Sequence, residues 1–249
     1  MPALDESSAW RILHAFTRDC LRHEPGSLRA VFAVGALPGG YYQPGNSELS
    51  IVLIAADSAR PLWGRCFAPG PALEVLNDRY RHAYHLTGEA GGTVLLESEL
   101  TPPYLNGLAV PVIARLKCEG RLLWGNADLL AVPMPTVKDL HHAAHLYERW
   151  WAAAYPSEAD VFQIDLPACV AAIREHIFRY LWIHCEQIEF QPARQLARYQ
   201  ASNPPSLDPA ALRLTERYLA GQELSAFEAD LLRAWLIDLR EQMNAYLNI

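Results

Sequence analysis

Three groups of residues in this chain have types and spacings that chemistry can use. Glu48 and Ser50 close the run Val34 to Ala55, VGALPGGYYQPGNSELSIVLIA, in which apolar stretches flank Gly35, Gly39, Gly40, Pro44, Gly45 and Asn46. That composition reads as a strand, a glycine-rich turn and a second strand. Side chains alternate across a strand, so Glu48 and Ser50 are expected on one face and Leu49 and Ile51 on the other. Glu97 and Glu99 fall in TVLLESEL, expected to be a half-buried strand from Thr93 to Leu100 that sets both acids on one face with Thr93 and Leu95. Two such acids are either carboxylates offered to a common site or the polar side of a soluble edge strand. His141 and His145, with His142 between them, stand at i, i+4 in VKDLHHAAHLYERWW. That spacing can chelate a metal from one helix face, but neither a third ligand nor a glutamate in the H-E-x-x-H position accompanies it.

The elements that must position these residues can be read around them. Trp10, Leu13, Phe16, Thr17, Cys20 and Leu21 recur at helical spacing with Arg11, Arg18 and Arg22 between them, so residues 6–23 are expected to form an amphipathic helix, capped by Ser7 or Ser8 and ended by Pro25-Gly26. A strand from Leu28 to Val34 then delivers the chain to the glycine turn. Pro61 to Pro71 reads as a loop in which Trp63 and Phe67 either pack down as a lid over a core or bind a base. Leu73 to Leu86 is either a strand and a short helix or one helix, and its Arg79, Arg81, His82 and His85 form a basic patch that either contacts phosphate or is a solvated face. Leu108 to Leu116 is apolar and leads into CEGRLLWG, Cys118 to Gly125. Pro133 and Pro135 mark a boundary. Beyond them the spans Val137 to Tyr155, Pro167 to Phe190, Pro192 to Gln200, Pro209 to Ala220 and Ser225 to Leu247 read as helices, with Pro167 and Pro209 in first turns and Gly221 as a stop. Short connections make them an antiparallel bundle. Trp150, Trp151, Tyr155, Tyr180 and Trp182 concentrate aromatic surface there, mostly as core.

The glycine turn resembles the signature of the nucleotidyltransferase fold of the polymerase-beta-like superfamily, in particular of the aminoglycoside adenylyltransferases. There a strand ends in Gly-Ser and Asp-x-Asp opens the next, commonly as G-S-x-x-x-G-x-x-x-P-G-x-S-D-x-D. Here the frame reads Gly35-Ala36, Gly40, Pro44-Gly45, Ser47 and Glu48-Leu49-Ser50. The run CEGRLLWG resembles the same family's exit from its first domain, and the two points together cover about half of the chain. The resemblance implies an α+β protein: a nucleotidyltransferase-fold mixed sheet with helices in residues 1–132, followed by an all-α helical bundle in residues 133–249, with a cleft between them for a nucleotide or small ligand. It further implies nucleotide contacts from Gly35, Ala36, Ser47 and Ser50, catalytic carboxylates at Glu48 and at Glu97 or Glu99, a weakly held Mg2+ on Glu48, and a nucleoside triphosphate as ligand.

Three departures bear on that chemistry. In the family, paired aspartates hold the divalent metals that clamp the triphosphate, with a third carboxylate on a later strand. Glu48 is longer than aspartate by a methylene, and a shift of about 1 Å in a catalytic group costs roughly a hundredfold. Ser50 removes a charge from the metal site, and Ala36 removes a hydroxyl, leaving backbone N–H groups as the anion donors. The expectation is therefore the fold with transfer activity weak or lost, a pseudoenzyme. One alternative is active adenylyl transfer to a small-molecule hydroxyl through Glu48 with Glu97 or Glu99. Another starts from Arg179 and His184, whose R-x-x-x-x-H spacing resembles the RNase motif of HEPN domains and implies an interaction or toxin–antitoxin-like module in the helical half; Arg18 and His23 repeat the spacing in the first helix.

Composition narrows the remaining classes. A net charge of -7 argues against nucleic acid as the main partner, because phosphate-backbone binding draws on clustered Lys and Arg. No stretch approaches the roughly 20 apolar residues of a membrane helix, and MPALDESSAW lacks a signal-peptide pattern. The 5 cysteines are scattered without C-x-x-C spacing, as expected of reduced thiols in a cytoplasmic protein.

Overall fold

The computed structural model describes residues 4–44, 47–66, 68–84, 91–104 and 106–248. Phe67 and His85, together with Gly45 and Asn46 of the turn, lie outside the described residues. The chain divides into two compact units, Met1–Pro135 and Thr136–Ile249.

The first unit opens with helix α1 (Glu6–His23), which buries Ala9, Ile12, Leu13, Phe16 and Cys20 along one stripe. Its cap is Asp5, not Ser7 or Ser8: the Asp5 carboxylate accepts the Ser8 N–H at 2.6 Å, which puts both serines inside the first turn. Strand β1 (Leu28–Val34) and strand β2 (Ser50–Ala55) pair antiparallel on either side of the glycine turn. The segment expected as a loop is instead helix α2 (Arg60–Trp63) and a small hairpin, β3 (Gly64–Arg65) with β4 (Ala68–Pro69). Trp63 is fully buried and its Nε1–H donates to Ser27 Oγ at 2.8 Å, so this indole is core. Residues from 71 onward form one helix, α3 (Pro71–Tyr84), followed by β5 (Gly91–Leu96). The apolar run after residue 108 is helix α4 (Ala109–Glu119), and β6 (Arg121–Gly125) follows it.

The sheet order is β5-β2-β1-β6, with β1 antiparallel to both β2 and β6 and β2 parallel to β5. A parallel pair needs a crossover connection, and the segment carrying α2 and α3 supplies it. Alternation sorts the strands: Val31, Ala33, Ile51, Leu53 and Val94 belong to the core cluster shared with α1 and α3. Ala30, Phe32, Val52 and Ile54 are equally buried and alternate with them, so they take the opposite face; burial on both faces explains why β1 and β2 read as continuous apolar runs.

The second unit is helical: α5 (Val137–Ala154), α6 (Glu158–Val161), α7 (Leu166–Cys185), α8 (Pro192–Ser202), α9 (Pro209–Leu219) and α10 (Ala226–Leu247). Thr136, Ser157 and Ser225 each close a capping box with an acid three residues on, and Asp165 and Asp208 cap α7 and α9. The helix expected to reach Phe190 stops at Cys185, because Glu186 turns left-handed at φ 53° and its N–H returns to Leu181 O and Trp182 O. The bundle core is built on Ile173, Ile177, Leu196, Tyr199, Leu232, Trp235 and Leu236. Among the described residues no helix is long and apolar enough to cross a membrane. Among the cysteines, Cys20, Cys66 and Cys169 are buried and Cys118 is exposed.

Candidate functional site

The glycine turn is a short helical coil followed by an open loop. Gly35 leaves β1 at φ +83°, a conformation glycine adopts without a Cβ penalty, and its carbonyl accepts Gly39 N–H at 2.9 Å while Ala36 O accepts Tyr41 N–H at 3.0 Å. Leu37 and Leu49 anchor the two arms of the turn in the core below. Ser47 closes the loop on itself: its hydroxyl accepts Gln43 N–H at 2.8 Å and its own N–H donates to Gln43 O at 3.0 Å. The expected nucleotide-contacting hydroxyl is thus engaged in shaping the loop.

Two tyrosines fasten the turn to the rest of the unit. Tyr41 OH donates to Glu119 Oε1 at 2.7 Å at the end of α4, and Tyr42 OH donates to Leu4 O at 2.9 Å ahead of α1. Sequence reasoning missed these, since no local pattern links Tyr41 to a glutamate 78 positions away. The only signal was that Glu119 lies within the run CEGRLLWG, two residues before β6.

Glu48 is exposed on the approach to β2, and Ser50 opens that strand, half-buried, opposite Val34 on one side and Gly91 on the other. The parallel register pairs Ser50 with Gly91, Val52 with Thr93 and Ala55 with Leu96. Residues that neighbour Ser50 across the sheet are therefore Gly91, Gly92 and Thr93. Across the described residues 35–44, 47–52 and 91–93, Glu48 is the one acid.

The structure does not bring Glu97 and Glu99 to this end. The strand expected to run to Leu100 stops at Leu96, and Glu97–Glu99 is a 3-10 turn at the far end of β5. Five residue steps at about 3.3 Å each separate it from the Ser50 end by roughly 16 Å or more. Glu97 there pairs with Arg29 at 3.1 Å near the surface. Glu99 is buried, accepting Leu96 N–H and Asn106 Nδ2–H, both at 2.9 Å, so its carboxylate ends the strand and holds the following loop.

The other candidates fall apart in similar ways. Arg79 faces Asp19 at 3.5 Å and His82 Nδ1 lies 2.7 Å from Asp78 O, so the basic patch is tied to its own surroundings. His141 and His145 do sit ring to ring at 5.2 Å, but among the described residues no group of three or more His, Cys, Asp or Glu could hold a metal ion. Arg179 is buried at 1% exposure, its Nη1 at 3.0 Å from Glu148 Oε1 and its guanidinium over the Tyr147 ring. His184 is exposed and stacks on Tyr180. The R-x-x-x-x-H spacing therefore does not put both groups at one accessible surface.

A mixed sheet with this strand order, a glycine turn between β1 and β2, and a helical second unit can be compared with solved structures. A spectinomycin adenyltransferase, AAD(9), from Enterococcus faecialis, solved with ATP and spectinomycin, superposes with a TM-score of 0.65 over 94% of this chain and 99% of its own, at 12% identity. The chain has the nucleotidyltransferase fold. At this identity the likeness concerns the fold alone, and it spans both the sheet-bearing and the helical parts. A toxin–antitoxin structure with AMP-PNP is similar at a TM-score of 0.32, 14% identity, 56% of this chain and 90% of that one. The toxin–antitoxin MntA-HepT is similar at 0.29, 13% identity, 57% and 91%. No family model and no curated protein matches the sequence.

Proposed function

We propose that the protein binds a nucleotide, or a similarly anionic small ligand, at the Gly35–Ser50 turn and transfers nucleotidyl groups weakly or not at all. The observation that carries this reading is the acid content of the sheet end: Glu48 alone among the described residues of the turn, the start of β2 and the start of β5, with Glu119 ahead of β6 engaged by the Tyr41 hydroxyl. Magnesium takes near-octahedral oxygen coordination, and a two-metal clamp on a transferring phosphoryl group needs several carboxylates. A donor set of Glu48 and the Ser50 hydroxyl does not fit such a centre. What the chain retains is the backbone: a left-handed Gly35, a coil braced by Tyr41 and Tyr42, and amides of Ala36 and Leu37 with no acceptor among the described residues, a geometry suited to oxygen anions. Because AAD(9) was solved with ATP, ATP is the first ligand to try.

Calorimetric titration with ATP, with and without Mg2+, tests this. The wild type should bind ATP with an affinity that Mg2+ changes by less than about threefold, and should release no pyrophosphate on incubation with ATP and a panel of aminoglycoside and aminocyclitol acceptors. Replacing Glu48→Asp, Ser50→Asp and Thr93→Glu together puts three carboxylates at the paired starts of β2 and β5. That variant should gain at least about tenfold tighter binding with Mg2+. Absence of ATP binding would sink the cradle, and pyrophosphate release by the wild type would sink the loss of transfer.

A further inference from the structure

Away from the turn, a cleft of about 450 Å³ opens between α1 and β6. Arg11, His14 and Arg18 form one wall, Leu123 and Trp124 the other, and Leu21 closes it. The three basic residues recur at i, i+3 and i+7, so they share one exposed stripe of α1 while Ile12, Phe16 and Cys20 go to the core. β6 is an edge strand, and Trp124 on it is 39% exposed, an unusual place for an indole in a unit that buries Trp63 completely. The strand is fixed there by a bulge opposite Val31 and Phe32 and by Gly125, left-handed at φ +95°, where a Cβ would fall 2.2 Å from Arg29 O.

Arg11 on this wall shares part of its charge with Asp5, whose carboxyl it helps to hold low. Arg11 Nη2–H donates to Ser8 Oγ at 2.8 Å, a neutral partner. Arg18 has no hydrogen bond or ion pair among the described residues. Thr17, at the floor, donates its hydroxyl to Leu13 O. The adjacent acid, Asp19, is occupied by Arg22, Arg79 and the Tyr80 hydroxyl. In a chain of net charge -7, a cleft with three basic side chains and no acid in its lining selects for an anion. A guanidinium offers a planar fork for phosphate oxygens, and an exposed indole offers a face for a flat ring. The volume lies in the range of small-molecule sites.

We propose that this cleft is a second ligand site, for a planar aromatic phosphomonoester of the nucleoside monophosphate class, with its ring on Trp124 and its phosphate on Arg18 and Arg11. It is separate from the turn. Tyr42 ties the turn to Leu4, just ahead of α1, and Arg18 lies fourteen residues beyond, about 20 Å along the helix at 1.5 Å per residue.

AMP is the probe, and the indole N–H resonance of Trp124, assigned with Trp124→Phe, is the readout on the full chain. AMP should shift it saturably with a Kd below about 1 mM, and Arg18→Glu should weaken that binding at least about tenfold while the other tryptophan resonances hold their positions. Should Arg18→Glu fail to fold, Arg18→Gln serves, with a loss of at least about threefold. Adenosine, which lacks the phosphate, and ribose 5-phosphate, which lacks the ring, should each bind at least about tenfold more weakly. The proposal is overturned if AMP leaves the Trp124 resonance unmoved at 10-fold excess over about 1 mM, if an Arg18 variant binds as tightly as the wild type, or if only an oligoribonucleotide produces the shift.

Discussion

In the first unit Glu48 stands exposed beside the glycine turn, Glu119 is engaged by the hydroxyl of Tyr41 from that turn, and the sheet beneath holds Val31, Phe32, Leu53 and Ile54. In the second unit charge sits inside the helices. Glu148 of α5 is 3% exposed, and His176 and Arg179 of α7 are each 1% exposed. Around that one carboxylate are Arg179 Nη1 at 3.0 Å, His176 Nδ1 at 3.7 Å and Arg240 Nε at 3.8 Å, with Arg179 lying over the ring of Tyr147 and Arg240 over that of Trp151. Burial raises the Glu148 carboxyl and the two arginines pull it back. The chain thus sets one acid among the described residues of the turn and the starts of β2 and β5, and keeps a dense ionic cluster where helices pack. The turn itself is held by glycines, core leucines and tyrosine hydrogen bonds, none of which depends on a metal.

That contrast can be broken most directly by removing one carboxylate from each unit. Glu148→Ala leaves two arginines facing no counter-charge in the bundle and should destabilise the protein by about 3–5 kcal/mol, whereas exposed Glu48→Ala should change stability by no more than about 0.5 kcal/mol. Urea denaturation of the two variants checks this; similar losses would mean that the two regions do not differ in the way described.

A smaller effect separates them by pH. Burial, with Arg179 and Arg240 nearby, pushes the His176 imidazole well below its ordinary value, so the folded protein holds it neutral while the unfolded chain takes up a proton below about pH 6.5. The unfolded state then binds more protons, and stability falls as the pH drops from about 7 toward 5, by up to about 1.4 kcal/mol per pH unit from this group. His145, lowered by partial burial and by His141 beside it, acts in the same sense. Glu148, raised, acts in the opposite one, its contribution improving as the pH falls through its raised value. Unfolding curves of the wild type and His176→Phe between pH 7 and pH 5 should diverge in slope by about one proton. Parallel slopes would remove His176 from the account.

The smallest expected effect tests burial itself. Burial pushes the thiols of Cys20 and Cys169 up to about 12, and that of Cys66 still higher, whereas Cys118 is exposed. Limited alkylation of the native protein followed by peptide mapping should label Cys118 first and spare those three, with little change in stability. Labelling of Cys20 or Cys66 at a comparable rate would show that the sheet-bearing unit opens readily.

Much of this architecture is legible in the residues. The stripe from Trp10 to Leu21, the glycine turn, the run RLLWG and the prolines at 167 and 209 each encode their element locally, through side-chain periodicity or a backbone preference, and the structure has those elements there. The misreadings have a common origin. TVLLESEL alternates well enough for a strand up to Leu100, but Glu99 folds back onto Leu96 N–H and ends it, a competition between side chain and ladder that alternation does not register. Pro61 to Pro71 has the composition of a loop, yet Trp63 found Ser27 across the core and drew the segment into a helix.

What the sequence by itself determined is most of the elements and the chemical identity of the turn: Ala36, Glu48 and Ser50 are read directly. What only the tertiary structure decided is which end of the sheet, and which side of a helix, each candidate occupies. Alternation gives a residue its face, but the parallel pairing of β2 with β5 sets Thr93 beside Val52 and carries Glu97 and Glu99 to the far end. Arg179 and His184 share α7 at i, i+5, about 140° apart around the helix, and the packing of Glu148 and Tyr147 against Arg179 takes that guanidinium out of solvent. Both outcomes depend on partners distant in the chain, which no local pattern specifies.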